Sequence, residues 1–260
     1  MSEIINIENV TFSYGEKKIL NNISLTISEG ESICIVGMSG IGKSTLLKLI
    51  CDLPNSKNQK QTGNIKIKGI DNRIYINQNR GKIGFVFQTL SLFPNLTVEE
   101  NIQLPSRIIN KYVRKTDIAA ITTMVGLQHD KTKYVHELSG GMKTRVALAS
   151  ILLTKPEILL LDEPFSALDV KWKYELYKCF FELKSDYKTT DIIVTHDIQE
   201  AIILSNKVYV LMQNGTLSEP YCINRSNLNI QIEESFKEFL KNNNDIYLNI
   251  QEKILKDNSL

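Results

Sequence analysis

The chain has 260 residues, of which 42% are hydrophobic and 23% charged, so it can bury a sizeable core and is not disordered in bulk. Its 31 Lys and Arg residues nearly balance 29 Asp and Glu residues, leaving a formal net charge of +2. This balance argues against a nucleic-acid partner held by a broad basic surface, and no apolar run approaches the roughly 18 to 20 residues of a membrane span.

Short runs rich in Ile and Val predict the strands of an α/β fold, because several alternate with helix-length segments. The predicted strands are residues 4–7, 23–27, 33–36, 65–67, 83–87, 158–161, 192–195 and 208–212. Residues 55–64 and 71–80 are polar, and we expect surface loops there. The helical pattern between 97 and 153 predicts an inserted helical subdomain of about residues 90–154. Residues 220–260 are expected to form a peripheral, helical extension.

The first functional motif, GMSGIGKST, follows a predicted buried strand and precedes a predicted helix. Its form, GxxxxGK[ST], is typical of a loop that binds nucleotide phosphates, and this context disfavours a chance Gly/Lys turn. Glycines let backbone N–H groups point at phosphate oxygens, and the helix N-terminus adds partial positive charge. Lys43 is predicted to reach the β- and γ-phosphates, and Ser44 to ligate Mg²⁺. The predicted nucleotide-binding residues are Gly37, Met38, Ser39, Gly40, Ile41, Gly42, Lys43, Ser44 and Thr45.

Two adjacent acids, Asp162 and Glu163, follow the apolar run ILLL. At the carboxyl end of a buried strand, Asp162 is placed to hold Mg²⁺ through water, and Glu163 to polarise an attacking water. An acidic turn that caps a helix is the alternative interpretation. His196 likewise ends a short apolar run. A lone histidine is more often a structural residue, but at the same end of the sheet His196 is a candidate γ-phosphate contact.

The segment LSGGM places Ser139, Gly140 and Gly141 directly before a predicted helix. Serine is a favoured N-cap, and the N–H groups that follow it can bind a second anion. Taken alone, the same residues fit a simple cap and turn better than an anion site.

Together these motifs resemble the ATP-binding cassette family, the ATPase subunits of ABC transporters, over residues 4 to about 217. GMSGIGKST looks like the Walker A loop, ILLLDEP like Walker B and LSGGM like the family signature. By the same resemblance, Tyr14 corresponds to the aromatic residue that stacks on adenine. Gln88 corresponds to the glutamine that contacts Mg²⁺ and senses the γ-phosphate. The resemblance implies an ABC transporter nucleotide-binding domain over residues 1–219: a P-loop NTPase core with an antiparallel β subdomain and the helical insertion.

The resemblance also implies ATP hydrolysis with Mg²⁺, in which Glu163 activates water and His196 contacts the γ-phosphate. Two copies would form a head-to-tail dimer in which the signature of one covers the ATP held by the other. The signature ends in Met142, where the family more often has Gln. In this position the chain resembles the ATPases of importers for nitrate, sulfonates and taurine. An importer ATPase implies an integral membrane permease, an extracytoplasmic solute-binding protein and a place on the cytoplasmic face of the membrane. An exporter or lipid-handling ATPase, or a non-transport ABC ATPase, is the alternative.

The segment TLSLFPNLT after Gln88 is unusually apolar for a loop. Leu90, Leu92 and Phe93 are interpreted either as core residues of the helical subdomain or as the lining of a groove. In ABC ATPases this stretch receives a short helix of the permease, and the resemblance therefore favours the groove.

Overall fold

The computed structural model describes residues 2–53, 59–166, 168–225, 228–229 and 233–257. The chain divides into two compact units: unit one combines Met1–Asn79 with Thr190–Leu260, and unit two comprises Arg80–Thr189. The elements in chain order are β1 (Glu3–Tyr14), β2 (Lys17–Ser28), β3 (Ser32–Val36), α1 (Lys43–Ile50), β4 (Gln59–Ile67), β5 (Ile70–Asp71), α2 (Asn72–Gln78), β6 (Ile83–Val86), α3 (Val98–Ile108), α4 (Lys115–Met124), a 3₁₀ turn (Val135–Glu137), α5 (Gly140–Leu152), β7 (Ile158–Asp162), α6 (Val170–Tyr187), β8 (Thr190–Thr195), α7 (Ile198–Leu204), β9 (Lys207–Val210), β10 (Tyr221–Cys222), α8 (Glu233–Asn242) and α9 (Asn244–Asp257). Each predicted strand overlaps an observed one.

In unit one, four strands form an antiparallel sheet in the order β2-β1-β4-β5. Along β2, buried apolar side chains alternate with exposed polar ones, which is the pattern of a sheet with one face on the core and one in water. Phe12 of β1 and Leu20 and Ile23 of β2 are almost fully buried in that core.

The loop prediction for residues 55–64 is wrong from Gln59 onward, where β4 begins. The first six side chains of β4 are exposed and mostly polar, so they lack the alternation that marks a half-buried strand. Its backbone nevertheless pairs with β1 along its length, which the composition does not reveal. Residues 54–58 lie outside the described part of the chain.

The loop prediction for residues 71–80 is also wrong, because α2 lies there. Asp71 caps this helix by accepting a hydrogen bond from the backbone N–H of Arg73 at 3.0 Å. Asn72 is buried, and its amide donates to the backbone carbonyls at positions 49 and 50, at 2.8 and 3.1 Å. These bonds satisfy carbonyls at the end of α1, so tertiary contacts fix a helix that the polar sequence hides.

Unit one also contains parallel strands, in which β3 lies between β8 and β9, and β10 pairs antiparallel with β9. β3 and β8 are buried along their whole length, as expected for parallel strands covered on both faces. Val36 of β3 pairs with Thr195 of β8 and with Val210 of β9. The segments that follow these three strands therefore leave the sheet at the same edge.

Unit two contains the parallel pair β6–β7 and helices α3 to α6. Residues 97–153, all described by the structure, hold α3, α4, the 3₁₀ turn and α5, with one isolated bridge between Thr97 and Tyr134. The helical pattern expected there is thus present, and α3 packs against α5.

Helices α8 and α9 lie within the predicted C-terminal extension, residues 220–260, and pack against α7 of unit one. Phe236, Phe239 and Ile250 anchor them with almost fully buried side chains. Among the described residues, no helix is both long enough and apolar enough to cross a membrane.

Candidate functional site

The phosphate-loop motif connects β3 to α1 in unit one. Gly37 (φ 157°) and Gly42 (φ 120°) have backbone conformations that residues with a side chain rarely adopt. A Cβ on Gly37 would lie 2.8 Å from the carbonyl oxygen of Leu211, and one on Gly42 would lie 2.6 Å from Cγ2 of Ile19. Both conformation and close packing therefore require glycine at these two positions, as the motif predicts.

Lys43 is the first residue of α1 and is only 5% exposed. Its Nζ donates to the carbonyl oxygens of Gly37 and Met38, each at 2.8 Å, which folds the loop around the ammonium group. The N-cap of α1 is Gly42, which has no side chain to occupy the first-turn N–H groups, and Ser44 and Thr45 lie in that turn. The loop thus combines a positive charge with a helix N-terminus, an arrangement that binds phosphate.

A cavity of about 250 Å³ opens beside this loop. Its walls are residues 38–41 of the loop, residues 17–19 of β2, and Gln213. Tyr14 pairs with Lys17 across the β1–β2 turn, next to the cavity wall, and its ring packs edge-on against Phe12 at 4.9 Å between centroids. The cavity is therefore bounded by part of the phosphate loop and by two lysines of β2, the strand that follows Tyr14.

His196 follows directly on the residue of β8 that pairs with the last residue of β3. Its side chain is exposed, and three hydrogen bonds fix the backbone around it. The N–H of Asp197 donates to the hydroxyl of Thr195 at 3.1 Å, and the Asp197 carboxylate caps α7 through the N–H of Gln199 at 3.0 Å and of Glu200 at 3.2 Å. Unit one therefore brings His196 and the phosphate loop to the same edge of the parallel strands.

In unit two, Val86 pairs with Leu161, so the residues after β6 and β7 also meet at one edge. The side-chain amide of Gln88 donates to Oε2 of Glu163 at 3.4 Å. Asp162 is 3% exposed, whereas Glu163 is half-buried and has the left-handed backbone conformation, with φ 48°. The structure thus brings together Gln88 and Glu163, two of the predicted catalytic residues.

The signature segment supplies the N-terminus of α5. The hydroxyl of Ser139 accepts a hydrogen bond from the N–H of Met142 at 3.3 Å, which confirms that Ser139 is the N-cap. Gly140 is exposed, and a Cβ there would meet no atom within 4 Å. Within the described part of unit two, this helix end therefore has open space in front of it, as a second anion site needs.

Arg145, three residues further along α5 than Met142, was not singled out by the sequence. Its Nη1 donates to the carbonyls of Val125 at 2.9 Å and Gly126 at 3.3 Å, and its guanidinium lies 3.7 Å from the ring centroid of Trp172. Burial lowers the pKa of this guanidinium. These contacts fix the direction of α5, and a helical Arg carries no sequence signal that separates it from an exposed one.

A groove of about 220 Å³ lies between the segment after Gln88 and α3. It is lined by Leu92, Phe93, Leu104, Ile108 and Ser150, among others. Phe93 is 49% exposed and Ile108 69%, so the interpretation of Phe93 as a core residue is wrong. Ser150 is buried and its hydroxyl donates to Ala147 at 2.7 Å, which leaves a short side chain in the groove wall.

Asn101 of α3 holds the outer wall of this groove and is only 3% exposed. Its Oδ1 accepts from the N–H of Phe93 at 2.8 Å, and its Nδ2 donates to the carbonyls of Phe93 and Leu96 at 3.1 Å and of Thr97 at 2.9 Å. Thr97 and Glu100 form a capping box at the start of α3, and hydrogen bonds with Thr97 lower the pKa of Glu100. The spacing of Thr97 and Glu100 could have predicted the start of α3 from the sequence. Nothing in that spacing predicts that Asn101 holds the loop before it.

Comparisons with known proteins agree with this geometry. A family model described as ABC transporter matches residues 20–166, more than half of the chain. The sulfate/thiosulfate import ATP-binding protein CysA of Escherichia coli K12 is 38% identical over 218 residues. That alignment covers 81% of this chain and 58% of the relative. The corresponding CysA 1 of Shewanella oneidensis is 38% identical over 222 residues, 83% of this chain and 57% of that protein. The chain thus spans less than two thirds of these relatives.

The fold comparison gives the same result. The ATP-binding cassette MJ0796, solved as a dimer in a post-hydrolysis state with ADP and Pi, has a TM-score of 0.73 and 32% identity. The match covers 85% of this chain and 99% of the cassette. A second dimeric structure of MJ0796, described as a bacterial ABC transporter cassette, matches equally well. The chain therefore belongs to the ABC transporter family and has the fold of its ATP-binding cassettes.

Proposed function

We propose that this chain is the ATP-binding subunit of an ABC importer and hydrolyses ATP to drive solute transport through a separate membrane permease. The observation that carries the proposal is the phosphate loop, where two glycines that tolerate no Cβ wrap a buried lysine. The 3.4 Å contact between Gln88 and Glu163 supports a hydrolytic role beyond nucleotide binding. We assign the nucleotide-binding domain to residues 1–219, with its helical subdomain at about 90–154, and an extension to 220–260.

The catalytic roles follow from the chemistry of each side chain. Lys43 binds the β- and γ-phosphates, His196 contacts the γ-phosphate, and Glu163 accepts the proton of the attacking water. Ser44, Asp162 and Gln88 offer the hard oxygen donors that Mg²⁺ prefers, and Mg²⁺ needs only one or two protein carboxylates when phosphates complete its shell. When bound, Mg²⁺ neutralises negative charge on the phosphates. Tyr14 is assigned to stacking on adenine.

The active form is proposed to be a head-to-tail dimer with two ATP molecules between the subunits. Ser139, Gly140 and Gly141 of one copy would bind the γ-phosphate held by the other copy. The open end of α5 fits this role, and the MJ0796 cassettes were solved as dimers. ATP, which has the γ-phosphate, should therefore favour the dimer over ADP.

Import is favoured by the similarity to these relatives, which are import ATP-binding proteins for sulfate and thiosulfate. We propose a small oxyanion-type solute, a class that includes sulfate, thiosulfate, nitrate and sulfonates such as taurine. An extracytoplasmic solute-binding protein would deliver it to the permease. The subunit would lie on the cytoplasmic face of the membrane, with the groove at Phe93 and Ile108 receiving the permease.

The decisive experiment for the ATPase is Glu163→Gln, which preserves size and removes the base. General-base loss typically costs about 10²- to 10⁴-fold in rate, while ATP binding should persist. Phosphate release by the purified variant measures the loss of rate, and ATP titration measures the ATP binding that should persist. The matched control is Glu157→Gln, an acid that precedes β7 in unit two and pairs with Lys82 at 2.6 Å. Wild-type turnover by Glu163→Gln would refute the assignment.

A further inference from the structure

The turn after β9 begins where the phosphate loop begins. Leu211 and Leu217 form a bridge that closes this turn, and the N–H of Gly215 donates to the carbonyl of Met212 at 2.9 Å inside it. The N–H of Leu211 donates to the carbonyl of Val36, the last residue of β3, at 2.8 Å. A displacement of the turn would therefore also shift the first residue of the loop.

Gln213 lies in this turn and contacts residues outside it. Its side-chain amide donates to the sulfur of Met38 at 3.7 Å, and both residues line the cavity beside the phosphate loop. Its backbone N–H donates to Oδ2 of Asp257 at 2.6 Å. Gln213 thus connects a residue of the nucleotide cavity to the end of α9.

Asp257 is the last residue of α9 and is only 8% exposed although it carries a carboxyl group. A carboxyl group buried to this extent is retained where it makes a hydrogen bond that water cannot replace. The helix that carries it is well anchored, because Ile250 is fully buried and α9 packs against both α7 and β9. The contact to Gln213 therefore belongs to a packed interface and not to a frayed helix end.

We propose that Asp257 is a positioning residue for nucleotide binding: it fixes the backbone of Gln213, which in turn fixes Met38 in the phosphate loop. The proposal rests on the proposed nucleotide site and adds a role for the C-terminal helices, which support one wall of that site. Since Asp257 contacts the backbone of the turn, its loss should weaken nucleotide affinity and leave turnover at saturating ATP nearly unchanged.

The test measures the affinity of the full chain for Mg²⁺–ADP by isothermal titration calorimetry, which avoids hydrolysis. Asp257→Ala removes the acceptor and should weaken ADP binding by about three- to tenfold. Asp257→Asn keeps an oxygen acceptor for the Gln213 N–H and should stay within about twofold of the wild type. Glu252→Gln, on the exposed side of α9 where Glu252 pairs with Lys256 at 2.6 Å, is the matched control and should bind ADP normally.

Steady-state ATP hydrolysis supplies the second readout, with KM expected to rise in Asp257→Ala while kcat stays within about twofold. Unchanged ADP affinity in Asp257→Ala, or an equal loss in Asp257→Asn, would overturn the proposal, because then the acceptor is not what matters. If Asp257→Ala does not fold, Gln213→Ala tests the second link, and normal ADP binding by that exposed-residue variant would overturn it. Failure of the wild type to bind ADP would instead contradict the nucleotide site itself.

Discussion

Replacing Asn101 by Ala should detach the wall of the groove from α3. The change removes four hydrogen bonds of 2.8 to 3.1 Å that fix residues 93–97. Each is worth about 0.5–1.5 kcal/mol net. In the variant, the Thr97 carbonyl still accepts a hydrogen bond from the backbone N–H of residue 101, at 2.9 Å here, and the backbone groups of the exposed Phe93 can bond to water. The free energy of unfolding is therefore expected to fall by about 2–4 kcal/mol, in the lower part of the range given by adding the four contributions.

Urea and thermal melts of the purified chain measure this loss. At about 2–4 °C per kcal/mol for a chain of this size, the melting temperature should fall by roughly 5–15 °C. Asn101→Asp keeps the acceptor for Phe93 but places a carboxylate oxygen against the three carbonyls, so it should lower the melting temperature at least as much as Asn101→Ala. Gln103→Ala, on the same helix and bonded to Glu99 at 3.0 Å, is the control and should change little. A shift of less than about 2 °C in Asn101→Ala would refute this account of the loop.

The remaining predictions concern partners. Phe93→Asp should leave the chain folded, with an unchanged melting temperature, but prevent co-purification with the proposed permease, because it places a charge in the apolar groove. Tyr112→Asp, at a side chain that is 87% exposed and outside the groove, is the control. Full co-purification of Phe93→Asp would move the docking surface elsewhere. Ser139→Arg should prevent the ATP-dependent dimer of the Glu163→Gln variant in gel filtration, since a long cation fills the open end of α5. A dimer that persists in this double variant would argue against the sandwich.

The sequence was most informative where one property dominates. Runs of Ile and Val located the buried parallel strands, because such strands need apolar side chains on both faces. The spacing of Gly37, Gly42 and Lys43 predicted a loop whose geometry leaves no room for a Cβ. The sequence also predicted Ser139 as an N-cap, because this role depends on a single local interaction with the helix that follows.

What the sequence did not reveal depends on distant partners. The start of β4 has no alternation because its side chains are exposed and only its backbone pairs with β1. Asn72 and Asn101 look like ordinary polar residues, yet each bonds backbone carbonyls of another segment. The contacts of Arg145 with Trp172 and of Asp257 with Gln213 join residues 27 and 44 positions apart, beyond any local pattern.

The left-handed backbone of Glu163 sets a trade-off between stability and activity. A residue with a side chain is disfavoured at φ 48° by about 1 kcal/mol relative to glycine, so the chain retains its carboxylate at a cost in folding free energy. Glu163→Gly should therefore melt about 2–4 °C above Glu163→Gln, with both variants inactive, and equal melting temperatures would contradict the estimate. Selection of this protein for heat resistance alone would favour loss of the very group assigned to hydrolysis. Directed evolution of a thermostable form must therefore measure ATP turnover in every round of selection.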